Sequence, residues 1–66
     1  MNITVNGDTR QLAQPLLLSE LLHTMALAGK KIAVERNGEI VPRGVHAATL
    51  LADGDRLEIV VAVGGG

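Results

Sequence analysis

The chain contains no phenylalanine, tyrosine, tryptophan or cysteine among its 66 residues. Without aromatics it has no stacking platform for single-stranded nucleic acid. Without cysteine it has no disulfide, no thiolate nucleophile and no thiolate metal site. Charge is sparse and balanced: six Lys and Arg against seven Asp and Glu leave a formal net charge of -1. Together with a pI near 6.0, that leaves no footprint for a phosphate backbone or an anionic membrane. The two histidines, His23 and His46, lack ligand-like spacing. No segment approaches the ~20 apolar residues of a membrane span. Met1 leads straight into Asn2-Ile3-Thr4-Val5, without the basic start and apolar stretch of a signal peptide. The expectation is a cytoplasmic protein that acts as a monomer, with no bound cofactor or metal and no nucleic-acid or membrane partner.

What is present is aliphatic. Hydrophobic residues make up 47 % of the chain, enough for one small core and one domain. Ile3 and Val5 alternate with Asn2 and Thr4, which is strand periodicity. Asn6-Gly7 then predicts a type I′ hairpin turn, because both central positions need positive φ. The return strand should run from Asp8 to about Ala13, before Gln14-Pro15. Residues 19–28 read as a helix, with Ser19 as N-cap, Glu20 in the first turn and Gly29 as the C′ residue. Leu18, Leu21, Leu22, Met25 and Ala28 form its buried stripe, and Leu27 points away from it.

Ile32 and Val34 mark a third strand, and Asn37-Gly38 reverses the chain into a very short strand at Ile40-Val41. Residues 43–52 have weak helix or turn character, with Val45, Ala48 and Leu51 available to plug the core. His46 falls in this loop region. Asp53-Gly54-Asp55 is a turn. Leu57, Ile59, Val61 and Val63 share one face of the last strand, with Glu58, Val60 and Ala62 on the other. Apolar residues on both faces suit a central strand, set parallel to the first through a right-handed crossover. The result is an α+β chain: a small mixed sheet with one main helix packed on one face, a β-grasp arrangement.

After that strand come Gly64, Gly65 and Gly66. Glycine lacks Cβ, so such a tail is thin and enters channels closed to other residues. Three residues reach about 10 Å when extended. Residues 1–63 are expected to form the domain body and 64–66 a flexible C-terminal tail presenting an α-carboxylate. Taken alone, a glycine-rich terminus is equally well an inert tail. Val60 and Ala62 are either part of a docking patch or ordinary surface. Arg43 and Arg56 either meet acidic groups of a partner or are simply solvated.

Asn37-Gly38-Glu39-Ile40-Val41-Pro42-Arg43, Asp53-Gly54-Asp55-Arg56-Leu57-Glu58-Ile59 and the Gly65-Gly66 ending resemble the ThiS family, the sulfur carriers of thiamine-thiazole synthesis with a ubiquitin-like β-grasp fold. Asp-Gly-Asp before the last strand recurs in ubiquitin-like and TGS domains and speaks for the fold. The Asn-Gly-Glu-Ile-Val-Pro-Arg stretch is more particular to ThiS. The resemblance implies that the chain is a protein cosubstrate rather than an enzyme. A ThiF-type, E1-like adenylyltransferase would activate the Gly66 carboxylate with MgATP. Sulfur, usually from a cysteine desulfurase, would displace AMP to leave a thiocarboxylate. A ThiG-type thiazole synthase would then take the sulfur. Gly64 and Gly65 would thread the partner's channel; the candidate docking surface, Val60, Ala62 and Arg43, is read from the residues themselves and stands beside ordinary surface as the alternative. Two other readings are a MoaD-like or tRNA-thiolation carrier with the same tail chemistry, and a β-grasp interaction module with an inert tail.

Overall fold

A computed structural model of the chain describes residues 1–62. Its first two strands, β1 (Asn2–Val5) and β2 (Asp8–Gln11), pair antiparallel across Asn6-Gly7. Asn6 has φ 50 and Gly7 φ 86, the positive values that a type I′ turn requires. The same geometry recurs at Asn37 (φ 52) and Gly38 (φ 86). That second turn joins β3 (Ile32–Arg36) to the two-residue β4 (Glu39–Ile40). The last strand, β5 (Arg56–Val61), lies between the two hairpins in the order β2-β1-β5-β3-β4. It runs parallel to β1 and antiparallel to β3. The mixed sheet with a central last strand is therefore as the periodicity indicated, although β2 stops at Gln11 rather than near Ala13.

Helix α1 (Leu18–Thr24) covers one face of the sheet. Leu18, Leu21 and Leu22 meet Ile3, Val5, Val34, Leu51, Leu57 and Ile59 in an aliphatic core cluster. Burying each such side chain stabilises by roughly 1.5–3 kcal/mol relative to exposure. The alternation Leu57 in, Glu58 out, Ile59 in, Val60 out delivers β5's apolar set to the helix.

The helix is shorter than residues 19–28, and both of its ends differ from the expectation. Leu17, not Ser19, is the N-cap, and its backbone N–H donates to Glu20 Oε1 at 3.0 Å. At the other end the left-handed C′ residue is Ala26 (φ 59), not Gly29. Ala26 N–H donates to His23 O at 3.0 Å and Leu27 N–H to Leu22 O at 2.9 Å. Those two bonds form a Schellman motif, which turns Leu27 back over Leu22. Leu27 accordingly packs against the core, while Ala28 is exposed. Helical periodicity does not extend past Thr24, so it misassigns both residues.

Residues Arg43–Ala48 form a 3-10 helix. Of the three residues expected to plug the core here, only Leu51 does so; Val45 and Ala48 are exposed. His46 takes their place, buried with its Nε2 donating to Val41 O at 3.0 Å. That bond satisfies the ring's polar edge, so an imidazole can serve as packing. The segment is held against the start of α1 by Leu18 N–H to Thr49 O at 2.8 Å and Leu51 N–H to Leu16 O at 2.9 Å.

Candidate functional site: the root of the C-terminal tail

In the sequence the tail follows β5, and β5 is clamped from both sides. On the β3 side the pairing is complete, from Arg36↔Leu57 to Ile32↔Val61. One further bond, Ala62 N–H to Lys31 O at 2.8 Å, holds the last described residue. On the β1 side the registered pairing covers only Thr4↔Arg56 and Val5↔Leu57. Asn6 extends it. Its Oδ1 accepts from Ile59 N–H at 2.7 Å and its Nδ2 donates to Ile59 O at 3.0 Å. The carboxamide thus acts as one more residue of β1, after the backbone has turned away.

Asn37 does related work at the start of β5. Its Oδ1 accepts from Arg56 N–H at 2.9 Å, and its own N–H donates to Arg56 O at 2.8 Å. Asn37 Nδ2 also donates to Asp55 Oδ1 at 3.1 Å. Asp55 is buried and collects two more donors: Ala52 N–H at 2.8 Å and Arg36 Nε at 2.9 Å. Arg36 Nη2 closes an ion pair with Asp55 Oδ2 at 2.8 Å. Burial by itself raises the Asp55 carboxyl, but the Ala52 N–H, the Asn37 carboxamide and the Arg36 guanidinium together outweigh it. The carboxyl is therefore held below its ordinary 3.8. Asp53 supports the other flank, accepting from Asn2 N–H at 2.6 Å.

The two Asn-Gly turns and the Asp-Gly-Asp turn are therefore more than reversals of the chain, which is how they read in the sequence. Asn6, Asn37 and Asp55 fix the strand that carries the tail. The visible signal was asparagine at the first turn position twice over, but its partner, β5, lies far away in sequence.

Val60 and Ala62 are both exposed. The strand's period of two puts them on the sheet face turned away from α1. Arg43 is exposed on the 3-10 helix, and its Nη2 reaches Lys30 O in a long contact of 3.5 Å. Lys30 adjoins Lys31, so Arg43 stands at the same end of the sheet as Ala62. Gly64, Gly65 and Gly66 lie outside the described residues. At the opposite end of β5, Glu35, Asn37, Gly38, Arg56 and Glu58 line a shallow polar hollow. Among the described residues no three His, Cys, Asp or Glu side chains gather as a metal site. No helix there is long and apolar enough to cross a membrane.

The ThiS family model matches residues 3–66. The chain belongs to the ThiS family. The crystal structure of a thiamine biosynthesis protein, ThiS, of Geobacter metallireducens superposes with a TM-score of 0.83 at 39 % identity, each chain covered in full. The solution structure of a thiamine biosynthesis protein from the same organism gives a TM-score of 0.80, covering all of this chain and 88 % of that one. These neighbours share the β-grasp fold described above. Among curated proteins, a thiazole synthase of Paramagnetospirillum magneticum is 41 % identical over 66 residues, which is all of this chain and 20 % of that protein. A thiazole synthase of Magnetococcus marinus is 38 % identical over the same span. The chain thus spans about a fifth of the length of these two thiazole synthases.

Proposed function

We propose that this chain is a sulfur carrier for the thiazole moiety of thiamine. It acts as a protein cosubstrate, and the reacting atom is the carbonyl carbon of Gly66. The observation that carries the reading is the ThiS family match, which runs through the glycines to residue 66. The neighbouring ThiS structure supports it, as do the relatives named thiazole synthase.

A carboxylate is a poor electrophile until it carries a leaving group. In the proposed cycle an oxygen of the Gly66 carboxylate attacks the α-phosphorus of ATP, and pyrophosphate leaves. Hydrosulfide then attacks the carbonyl carbon and AMP departs, leaving a thiocarboxylate; where the donor is a persulfide, the acyl disulfide formed first is cleaved by a thiol, which leaves as a mixed disulfide with the donor. Thiazole synthase accepts that sulfur. The chain has no Gly-x-x-x-x-Gly-Lys-Ser/Thr loop to cradle phosphates. The MgATP site accordingly belongs to the E1-like partner, which supplies positioning and cationic stabilisation. The carrier's own contribution is mechanical: a clamped central strand ends in residues thin enough to thread the partner. A cysteine desulfurase is the ordinary origin of the sulfur, and the cytoplasm the expected compartment.

The test is mass spectrometry of the purified chain incubated with the E1-like enzyme, MgATP and a sulfur donor. The expected result is an oxygen-to-sulfur exchange mapped to Gly66. An unmodified chain under those conditions favours the inert interaction module. Transfer to molybdopterin synthase or tRNA in place of thiazole synthase favours the related carriers.

A further inference from the structure

Each Asn-Gly turn places an electrophile next to a nucleophile. The backbone nitrogen of the glycine can attack Cγ of the asparagine before it, and glycine has no side chain to hinder the approach. The N–Cγ bond forms as that nitrogen gives up its proton to solvent. The Cγ–Nδ2 bond breaks as Nδ2 takes up a proton and leaves as ammonia. Water then opens the resulting cyclic succinimide. Addition at Cγ gives aspartate. Addition at the backbone carbonyl gives isoaspartate, which routes the main chain through Cβ and lengthens it by one methylene. The net change is carboxamide plus water to carboxylic acid plus ammonia, with no oxidant or reductant.

In this fold the nucleophile is free and the electrophile is tied. Neither Gly7 N–H nor Gly38 N–H donates to a backbone carbonyl among the described residues. Asn6 and Asn37 are both exposed, yet each carboxamide is anchored twice. Asn6 is held on Ile59 N–H and Ile59 O, and Asn37 on Arg56 N–H and Asp55 Oδ1. A carboxamide so held cannot swing over the glycine nitrogen, so ring closure waits for local opening of the anchor.

The two anchors differ in strength. Asn37 Nδ2 donates to the buried Asp55 carboxylate, a charge-assisted bond, where β3 and β5 pair over five registered positions. Asn6 Nδ2 donates to a neutral carbonyl, beyond a β1–β5 pairing of only two registered positions. The Asn6 anchor therefore opens more often.

We propose that Asn6 is a site of spontaneous deamidation whose conversion unclamps β5 from β1. As aspartate, residue 6 keeps an acceptor for Ile59 N–H but turns a carboxylate oxygen, with no proton to donate, toward Ile59 O. As isoaspartate, it adds a methylene to a two-residue turn whose geometry sets the β1–β2 register. Neither product restores the clamp, so a reaction at an exposed turn loosens the central strand of the sheet.

The experiment ages the purified chain in mildly alkaline buffer, with and without denaturing urea, and maps amide-to-acid conversion by mass spectrometry of its peptides. In urea the two sites should convert at nearly equal rates. In buffer both should slow, with Asn6 converting several-fold faster than Asn37. Amide hydrogen exchange at Ile59 should quicken about tenfold in the converted fraction and in Asn6→Asp, while β3 keeps its protection. The aged parent gives the same reading should Asn6→Asp not fold. Conversion at Asn37 ahead of Asn6, or at neither in buffer, overturns the choice of Asn6. Equal Asn6 rates in buffer and urea overturn its gating by the anchor. Unchanged Ile59 exchange after conversion overturns the unclamping.

Discussion

The Asn6 carboxamide pairs with both backbone groups of Ile59, at 2.7 and 3.0 Å, and extends the β1–β5 ladder after the backbone has turned away. Asn6 thus meets two demands at once, positive φ in the turn and a peptide-like edge for β5. Asn6→Gly keeps the turn and loses the edge, so it should cost about 1–2 kcal/mol. Asn6→Ala loses the edge and also strains the left-handed position, adding about 1 kcal/mol more. Denaturant unfolding of the two variants, compared with the parent, checks both the size and the order.

Acid sensitivity should centre on Asp55. Its carboxyl titrates below its ordinary 3.8 in the folded chain. A carboxyl depressed on folding contributes stability that is present above the unfolded value and disappears as pH falls through the folded one. Stability should therefore decline as the pH drops below about 4. In Asp55→Asn that decline should be shallower, from a lower starting stability at pH 7. Asp55→Ala strands Arg36 and Asn37 and should cost about 2–3 kcal/mol at neutral pH. Urea midpoints measured from pH 7 down to pH 2 read out all three proteins.

Ala26 occupies a left-handed C′ position that glycine fills without strain. Ala26→Gly should stabilise the chain by about 0.5–1 kcal/mol, the relief of strain exceeding the added freedom of the unfolded chain. The identical change at Ala28 should bring no such gain. A higher melting temperature for the first variant alone is the expected outcome.

For the tail, Gly65→Val should leave the melting temperature unchanged and sharply slow adenylation, because a branched side chain narrows φ/ψ and widens the thread. Deleting Gly66 moves the carboxylate by about 3.5 Å and should reduce activity at least as far. Pyrophosphate-release assays with the E1-like enzyme measure both. Normal rates for Gly65→Val would rule out a close-fitting channel.

Much of this architecture can be read from spacing. Ile3 and Val5, the Asn-Gly pairs, and a last strand apolar on both faces point to two hairpins flanking a central β5. The helix terminus is harder to read, because alanine carries no signal for the left-handed turn that Ala26 makes. His46 resists reading for another reason: a polar ring becomes core only once Val41 O is at hand to satisfy it. Asp55, Asn6 and Asn37 look like turn residues because turn chemistry already accounts for them. Their additional long-range bonds depend on which strand the fold brings alongside, information that no local window contains. The outward placement of Val60 and Ala62 follows from alternation, whereas the approach of Arg43 to the tail root depends on how the 3-10 helix packs.

In the strand order β2-β1-β5-β3-β4, the two hairpins never pair with each other and meet only across β5. During synthesis at the ribosome, everything up to residue 55 can emerge while the sheet is still in two unconnected halves. Completion waits for the final strand, a contact of long sequence separation and so a late step in folding. The assembled sheet therefore reports that translation has passed β5, and a nascent chain stopped short of it has two hairpins with no strand to join them.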